Sequence, residues 1–451
     1  MSYNYILLLC LIQITFSYIT FPLNEFEPNI DLIHDPTEVI KEISKTELYI
    51  TLEMGSERSK IKATLSHQLS ELFISGKDMT SHSYDETKSN TYMCRNNYTK
   101  VLYNGWYKEV ALSKEDFYIQ NNNNTIQKVE QLYFLLGKKT DSEDKKYEAI
   151  IGLRYGSFND LMDYNLIRNL IRRKIINSYN WFLNFENIEK EKGKMIIGAL
   201  PHLIDDKFEE SKFIQTPGVK NGFLGFDMNR ISYGNLKELV KSYAGYIHFD
   251  LKFIFAPNEL MEILDKEFFN KYINEKICFK EIYGIGRNIF YYCKNQKEFD
   301  ISKFKEIKFS INQIEEYFVF NYKDLFYYKD DLIYFLILFQ EYDINSFKIG
   351  HMFLKKYNLV FNQDSKTIGF YSNMININET KSEDFIDNKN KHNFSFTNLL
   401  LILILVSILV IGALIYRRRI NRKMRANELE DQFQYVSKND DTNKIINDDI
   451  M

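Results

Sequence analysis

Along most of its length the chain sets short apolar runs against polar breaks, the texture of β-structure with occasional helices. "ELYITLEM" (Glu47–Met54) alternates, which predicts a strand with one buried face. "KMIIGAL" and "FLGFDMNRISYG" read as hairpin strands, and "KYNLVFNQDSKTIGFYS" (Lys356–Ser372) as two strands joined by a polar turn. Helical spacing is confined to stretches such as "NELMEILDKEFFNKYINEK" (Asn258–Lys276). The Asn tract Asn121–Asn124 reads as loop.

One segment breaks its own pattern. "KIKATLSHQLSELFI" (Lys60–Ile74) runs like a buried strand on both sides, yet Ser66, His67 and Gln68 interrupt it. Three polar side chains inside an apolar run are costly to bury unless a site, a turn or a hydrogen-bond network accepts them. The arrangement occurs twice, each time as a strand, a polar interruption and, later, an apolar pair followed by Gly. The first copy is "ATLSHQLSELFI" with "EAIIGLRYGS" (Glu148–Ser157); the second is "GYIHFDLKFIFAP" (Gly245–Pro257) with "FKIGHMFLKKYNLVF" (Phe347–Phe361).

Two segments read as addresses rather than fold. "YILLLCLIQITFS" (Tyr5–Ser17) is an apolar run of signal-peptide length, with Thr15 and Ser17 placed for cleavage. "LLLILILVSILVIGALIY" (Leu399–Tyr416) has the length of a membrane helix and no charge, and the basic "RRRINRKMR" (Arg417–Arg425) follows it. The expected organisation is therefore a signal peptide at 1–17, an N-terminal segment at 18–45, two lobes at 46–205 and 206–375, a juxtamembrane stalk at 376–396, a transmembrane helix at 397–416 and a cytosolic tail at 417–451. The middle is expected to be lumenal or extracellular. Glycosylation sequons agree, since Asn97, Asn123 and Asn378 all precede the membrane segment, as does Asn393 close to the bilayer.

Composition narrows the class. The chain has 451 residues, 45% hydrophobic and 16% aromatic, enough for two large lobes and too apolar for wholesale disorder. A formal charge of -3 offers no basic field, so nucleic acid is not an expected partner. Beyond Cys10 there are three cysteines, an odd number for an oxidising compartment. Cys278 and Cys293 lie close enough to staple one loop, which leaves Cys94 free or paired between chains. No Cys or His pair has the usual ligand spacing, so neither metal nor cofactor is expected.

"FKIGHMFLKKYNLVFNQDSKTIGFY" resembles the C-terminal signature of pepsin-like aspartic proteases (peptidase A1). "YEAIIGLRYGS" is similar to the matching element of the N-terminal lobe, "GKMIIGALPHLID" to the hairpin that closes it, and "FLGFDMNRISYG" to the first strands of the C-terminal lobe. The resemblance spans roughly Thr46 to Ser372. It implies a mainly β, bilobal pepsin-like fold and a disulfide between Cys278 and Cys293. It also implies a substrate-covering flap near "VLYNGWYKEV", with Tyr103 as the flap tyrosine; an ordinary turn at Asn104-Gly105 explains those residues equally well.

The same resemblance explains the interrupted strand, and in the negative. Each lobe of the family supplies an Asp-Thr-Gly or Asp-Ser-Gly loop, and the two Asp carboxylates share a proton and activate one water. Here the Asp positions fall on Ser66 and His248, the Thr positions on His67 and Phe249, and the Gly positions on Gln68 and Asp250. No Asp-Thr-Gly or Asp-Ser-Gly occurs in the chain. In a rival register Asp250 is the second catalytic Asp, and in another Ser66 and His248 form a nucleophile and base. The plainer reading makes both residues a hydrogen-bonded remnant in the cleft. Nor does the short acidic segment Tyr18–Ser44 resemble the basic prosegment of the family's zymogens. The expected protein is a membrane-anchored, catalytically degenerate relative that binds a peptide or protein. The alternatives are a membrane-tethered endopeptidase with an unconventional site, and a structural surface protein.

Overall fold

A computed structural model of the chain describes residues 17–372, apart from 27–29, 45, 78, 80–82, 100–106, 122–123, 141–146, 156–163, 188–191, 221, 236–238, 285, 312–313, 315–316 and 343–344. Strands of the first half are β1 (Ile19–Glu25), β2 (Leu48–Met54), β3 (Ser59–Ser66), β4 (Leu72–Ser75), β5 (Met93–Thr99), β6 (Tyr107–Asn121), β7 (Ile126–Thr140), β8 (Ala149–Gly152), β9 (Asn180–Asn187) and β10 (Lys192–Ile197). The second half opens with β11 (Phe213–Pro217), β12 (Val219–Lys220), β13 (Phe223–Tyr233), β14 (Leu239–Ile247) and β15 (Ile254–Phe255). It continues through β16 (Cys278–Tyr283), β17 (Asn288–Lys294), β18 (Ile307–Ile311), β19 (Tyr317–Phe320) and β20 (Phe326–Lys329). Its last strands are β21 (Leu332–Phe335), β22 (Ile337–Gln340), β23 (Ser346–Ile349), β24 (Val360–Asn362) and β25 (Thr367–Tyr371).

The alternation read at Glu47–Met54 is real: along β2 every second side chain is buried, because one face of the pleat lies on the core. The turn in Lys356–Ser372 joins β24 to β25 as an antiparallel pair. Of Asn258–Lys276, the stretch to Asn274 is helical, with Asn258–Leu264 and Asn270–Asn274 α-helical and a π-helical stretch at Asp265–Phe269 between them. Among the described residues the strands form two large sheets. The first runs β11-β25-β24-β9-β10-β1-β2-β3-β8-β4-β7-β6-β5, so the last described strands are hydrogen-bonded into the sheet of the first half. The second is built from β12 to β23.

Each half contains the same knot of three strands. In the first, β3 runs parallel to β8 with Ser66 opposite Gly152, and after the polar interruption β4 returns antiparallel to β8 on its other side. In the second, β14 runs parallel to β23 with Ile247 opposite Ile349, and β15 returns antiparallel to β23. The apolar-Gly motif is thus the central strand of each knot, and its glycine marks where the loop backbone crosses. A Cβ on Gly152 would sit 2.5 Å from the backbone of Ser70 and Glu71; one on Gly350 would sit 2.2 Å from the Phe253 carbonyl oxygen. No side chain fits at either point.

The segment ahead of the first lobe belongs to the fold. β1 pairs with β10 on one side and β2 on the other. A helix, α1 (Pro36–Ser44), buries Val39, Ile40 and Ile43 among Phe253, Tyr334 and Leu338 of the second half. Three such side chains contribute roughly 2 kcal/mol each. Among the described residues no helix is long and apolar enough to cross a membrane. The expected membrane helix at 397–416 and the signal peptide, save Ser17, lie outside the described residues.

Candidate functional site

The two polar interruptions meet. The first loop follows β3 and carries Ser66, His67 and Gln68; the second follows β14 and carries His248, Phe249 and Asp250. Ring centroids of His67 and His248 lie 3.9 Å apart at 52°. His248 Nδ1 is 3.3 Å from Asp250 Oδ1, and His67 Nδ1 is 3.5 Å from the same oxygen. Exposure rises across the group: the side chains of His67, His248 and Asp250 are 5%, 17% and 41% accessible. Two imidazoles therefore form the floor and the carboxylate opens to solvent.

Strand pairing fixes these positions. The Ser66 carbonyl accepts from Leu153 N–H, and His248 N–H donates to the Ile349 carbonyl, so each loop is tied to its own central strand. Phe249 points the other way and is fully buried, with Trp181 at 5.9 Å and Phe361 at 6.2 Å. Trp181 and Phe361 are stacked at 4.2 Å. The Phe249 carbonyl accepts from His351 Nε2–H at 2.6 Å, and Leu48 N–H approaches it at 3.4 Å. Phe249 thus makes an aromatic core contact and presents no hydroxyl to the second loop.

Electrostatically the centre holds one persistent anion. Burial pushes the Asp250 carboxyl up, but the hydrogen bond from His248 and the charges of His67 and His248 outweigh it and hold the group at about 2. His67 moves down to about 4, first through burial and then through His248 and Lys348, with Asp250 only partly offsetting them. Above that pH, His67 is a neutral imidazole facing a carboxylate. A shared-proton dyad needs a second carboxyl that stays protonated while its neighbour is ionised. The cluster that forms here contains one carboxylate, and it stays ionised through the weakly acidic range.

The residues read from the sequence have separate fates. His248 and Asp250 are in the centre. Ser66 is adjacent in the chain, but its hydroxyl accepts from Gln68 N–H at 3.2 Å within its own turn, and His67 is the residue that lies against His248. Tyr103 lies outside the described residues, although β5 and β6, which flank it, pair antiparallel. Asn123 and Asn378 are also outside them, and of Asn97 only its place on β5 is described. Cys278 and Cys293 face each other across β16 and β17 and form the disulfide. Cys94 is exposed on β5 and takes no part in it.

Sequence reasoning passed over His67, which it placed at a threonine position, and Glu25. The side chain of Glu25, at the end of β1, is 1% exposed; its carboxylate lies 3.3 Å from His351 Nδ1 and pairs with Lys355 Nζ. Both partners belong to α2 (His351–Lys356), which starts directly after Gly350. The only local hint of the first residue was a histidine in each of two equivalent loops. Nothing local marks Glu25.

The profile of the family described as eukaryotic aspartyl protease matches residues 49–373. That covers more than half of the chain and both strand knots, so the chain belongs to this family. No curated protein matches it.

Proposed function

We propose that the protein is a proteolytically silent member of its family which binds a peptide or protein through the cleft between its lobes. What supports this is the make-up of the centre: the family resemblance puts the positions of the two catalytic carboxylates at Ser66 and His248, and the cluster of His67, His248 and Asp250 holds Asp250 as its one carboxylate. Water activation by a carboxylate pair has no second member to work with. Gln68 and Asp250 also put side chains where the family's loops carry Gly, which crowds the approach of a substrate backbone.

In the same reading the ectodomain is lumenal or extracellular, glycosylated at Asn97, Asn123 and Asn378, and tethered by the helix at 397–416 with the basic tail in the cytosol. The uncharged run Leu399–Tyr416 followed by six cations within Arg417–Arg425, and sequons only ahead of it, support that topology.

The test is a peptide-library cleavage assay with the purified full-length chain from acidic to neutral pH, beside binding of the same peptides. Binding without cleavage is expected. Cleavage that pepstatin blocks and Asp250→Asn abolishes would overturn the reading in favour of an endopeptidase with an unconventional site. Absence of both cleavage and binding would favour a structural surface protein. For the topology, protease added to sealed vesicles should trim only the tail and glycosidase should lower the apparent mass; loss of the ectodomain would reverse the orientation.

A further inference from the structure

We propose that His67, His248 and Asp250 form a binding site for one divalent transition metal ion of the zinc type, held across the junction of the two lobes. One donor atom from each of the three residues lies within 4.8 Å of the others. Two of the separations, 3.3 Å and 3.5 Å, are already close to those of a bound set. Zinc bonds of about 2.0–2.1 Å at tetrahedral angles place neighbouring ligand atoms roughly 3.3 Å apart. Small rotations of the rings would complete the geometry.

A second observation is independent of the clustering. The side chain of His67 is 95% buried, the complement of its 5% exposure, and its Nδ1 makes no hydrogen bond although Asp250 Oδ1 lies only 3.5 Å away. A buried ring nitrogen without a hydrogen bond is costly, and a buried polar atom left unsatisfied calls for an explanation such as an ion. Metal coordination by the nitrogen lone pair supplies one.

The donor set selects the ion. Two imidazoles and one carboxylate suit zinc and its first-row neighbours, whereas calcium and magnesium require mostly oxygen ligands. Imidazoles ligate a metal in their neutral form, so the ligand set carries a single negative charge, which favours a dication. Lys348 acts electrostatically on His67 and opposes it. Asp250, 41% exposed, gives the ion its entry path and leaves the remaining coordination positions to water on the cleft side. Because His67 comes from the first loop and the other two ligands from the second, the ion would staple the lobes where the family's carboxylates share a proton. The site does not depend on whether the chain cleaves peptides.

The experiment is calorimetric titration of the metal-stripped full-length chain with zinc alone, accompanied by thermal melting and by the absorption spectrum of the cobalt(II) form. One ion per chain is expected, with a rise in melting temperature and a low-symmetry cobalt spectrum. His67→Ala and Asp250→Asn should each weaken binding by more than the roughly 10–100-fold typical of losing a merely supporting group, and should abolish the thermal shift. Asp250→Asn alters a half-exposed side chain and keeps its shape, so it decides the question even where His67→Ala fails to fold. No stoichiometric uptake, or equal uptake by Asp250→Asn and the parent chain, which would mean an adventitious ion only, would overturn the proposal.

Discussion

Glu25 ties the first strand of the chain to the last third of it, and its removal has a calculable pH signature. The side chain is 1% exposed and is held by His351 and Lys355. Burial alone would raise its carboxyl, yet the hydrogen bond and charge of His351, then Lys355 and Lys252, bring it from 4.5 to about 2. Because the folded value lies below the unfolded one, the contribution to stability is fully present above about 4.5 and disappears as pH falls through about 2. At 1.36 kcal/mol for each pH unit separating the two values, it amounts to about 3 kcal/mol. Glu25→Gln preserves the shape and removes the charge that pairs with Lys355, which is 11% exposed. The variant should therefore unfold about 3 kcal/mol more easily at neutral pH, in line with the cost of breaking a buried ion pair from one side. Urea unfolding of both proteins in steps from pH 7 to pH 2 measures this. The gap should narrow below pH 4.5 and be mostly lost near pH 2. A gap of constant size across that range, or none at neutral pH, would refute the reasoning.

Gly350→Ala should cost at least about 3 kcal/mol, seen as a large drop in melting temperature, because its Cβ would meet the Phe253 carbonyl at 2.2 Å and the colliding backbone belongs to the loop that carries Asp250. Phe249→Thr should also destabilise the chain by roughly 3 kcal/mol by opening a cavity beside Trp181 and Phe361; an unchanged melting temperature would show that the aromatic contact carries little. Reducing the Cys278–Cys293 disulfide, whose residues are 15 apart in sequence, should cost about 3 kcal/mol in the chain-entropy account, and peptide mapping without reductant should recover that pair, with no bridge from Cys94 to either residue.

Local pattern carried far in this chain wherever one element could be judged by itself. The alternation of Glu47–Met54 became β2, the polar turn of Lys356–Ser372 became the β24–β25 hairpin, and the two interrupted strands became two strand knots, since a strand's period and a turn's chemistry are written in neighbouring residues. The family was legible for the same reason: its signatures are contiguous. The disulfide was legible because Cys278 and Cys293 close one hairpin.

What the sequence could not decide was which side chains of the two loops face one another. Counting placed Ser66 opposite His248, whereas folding turned the Ser66 hydroxyl into its own turn and brought His67 against His248, with Asp250 reaching both. The aim of a side chain in a tight loop follows from backbone dihedrals, and both loops pass so close over Gly152 and Gly350 that no Cβ fits there. Glu25 and His351, or His67 and His248, lie in opposite halves of the chain, and their charges and lone pairs interact only after the lobes close. Sequence by itself therefore determined the strands, the turns and the family; tertiary structure alone decided the composition of the centre, because electrostatic and coordinating contacts depend on distance in space and carry no period along the chain.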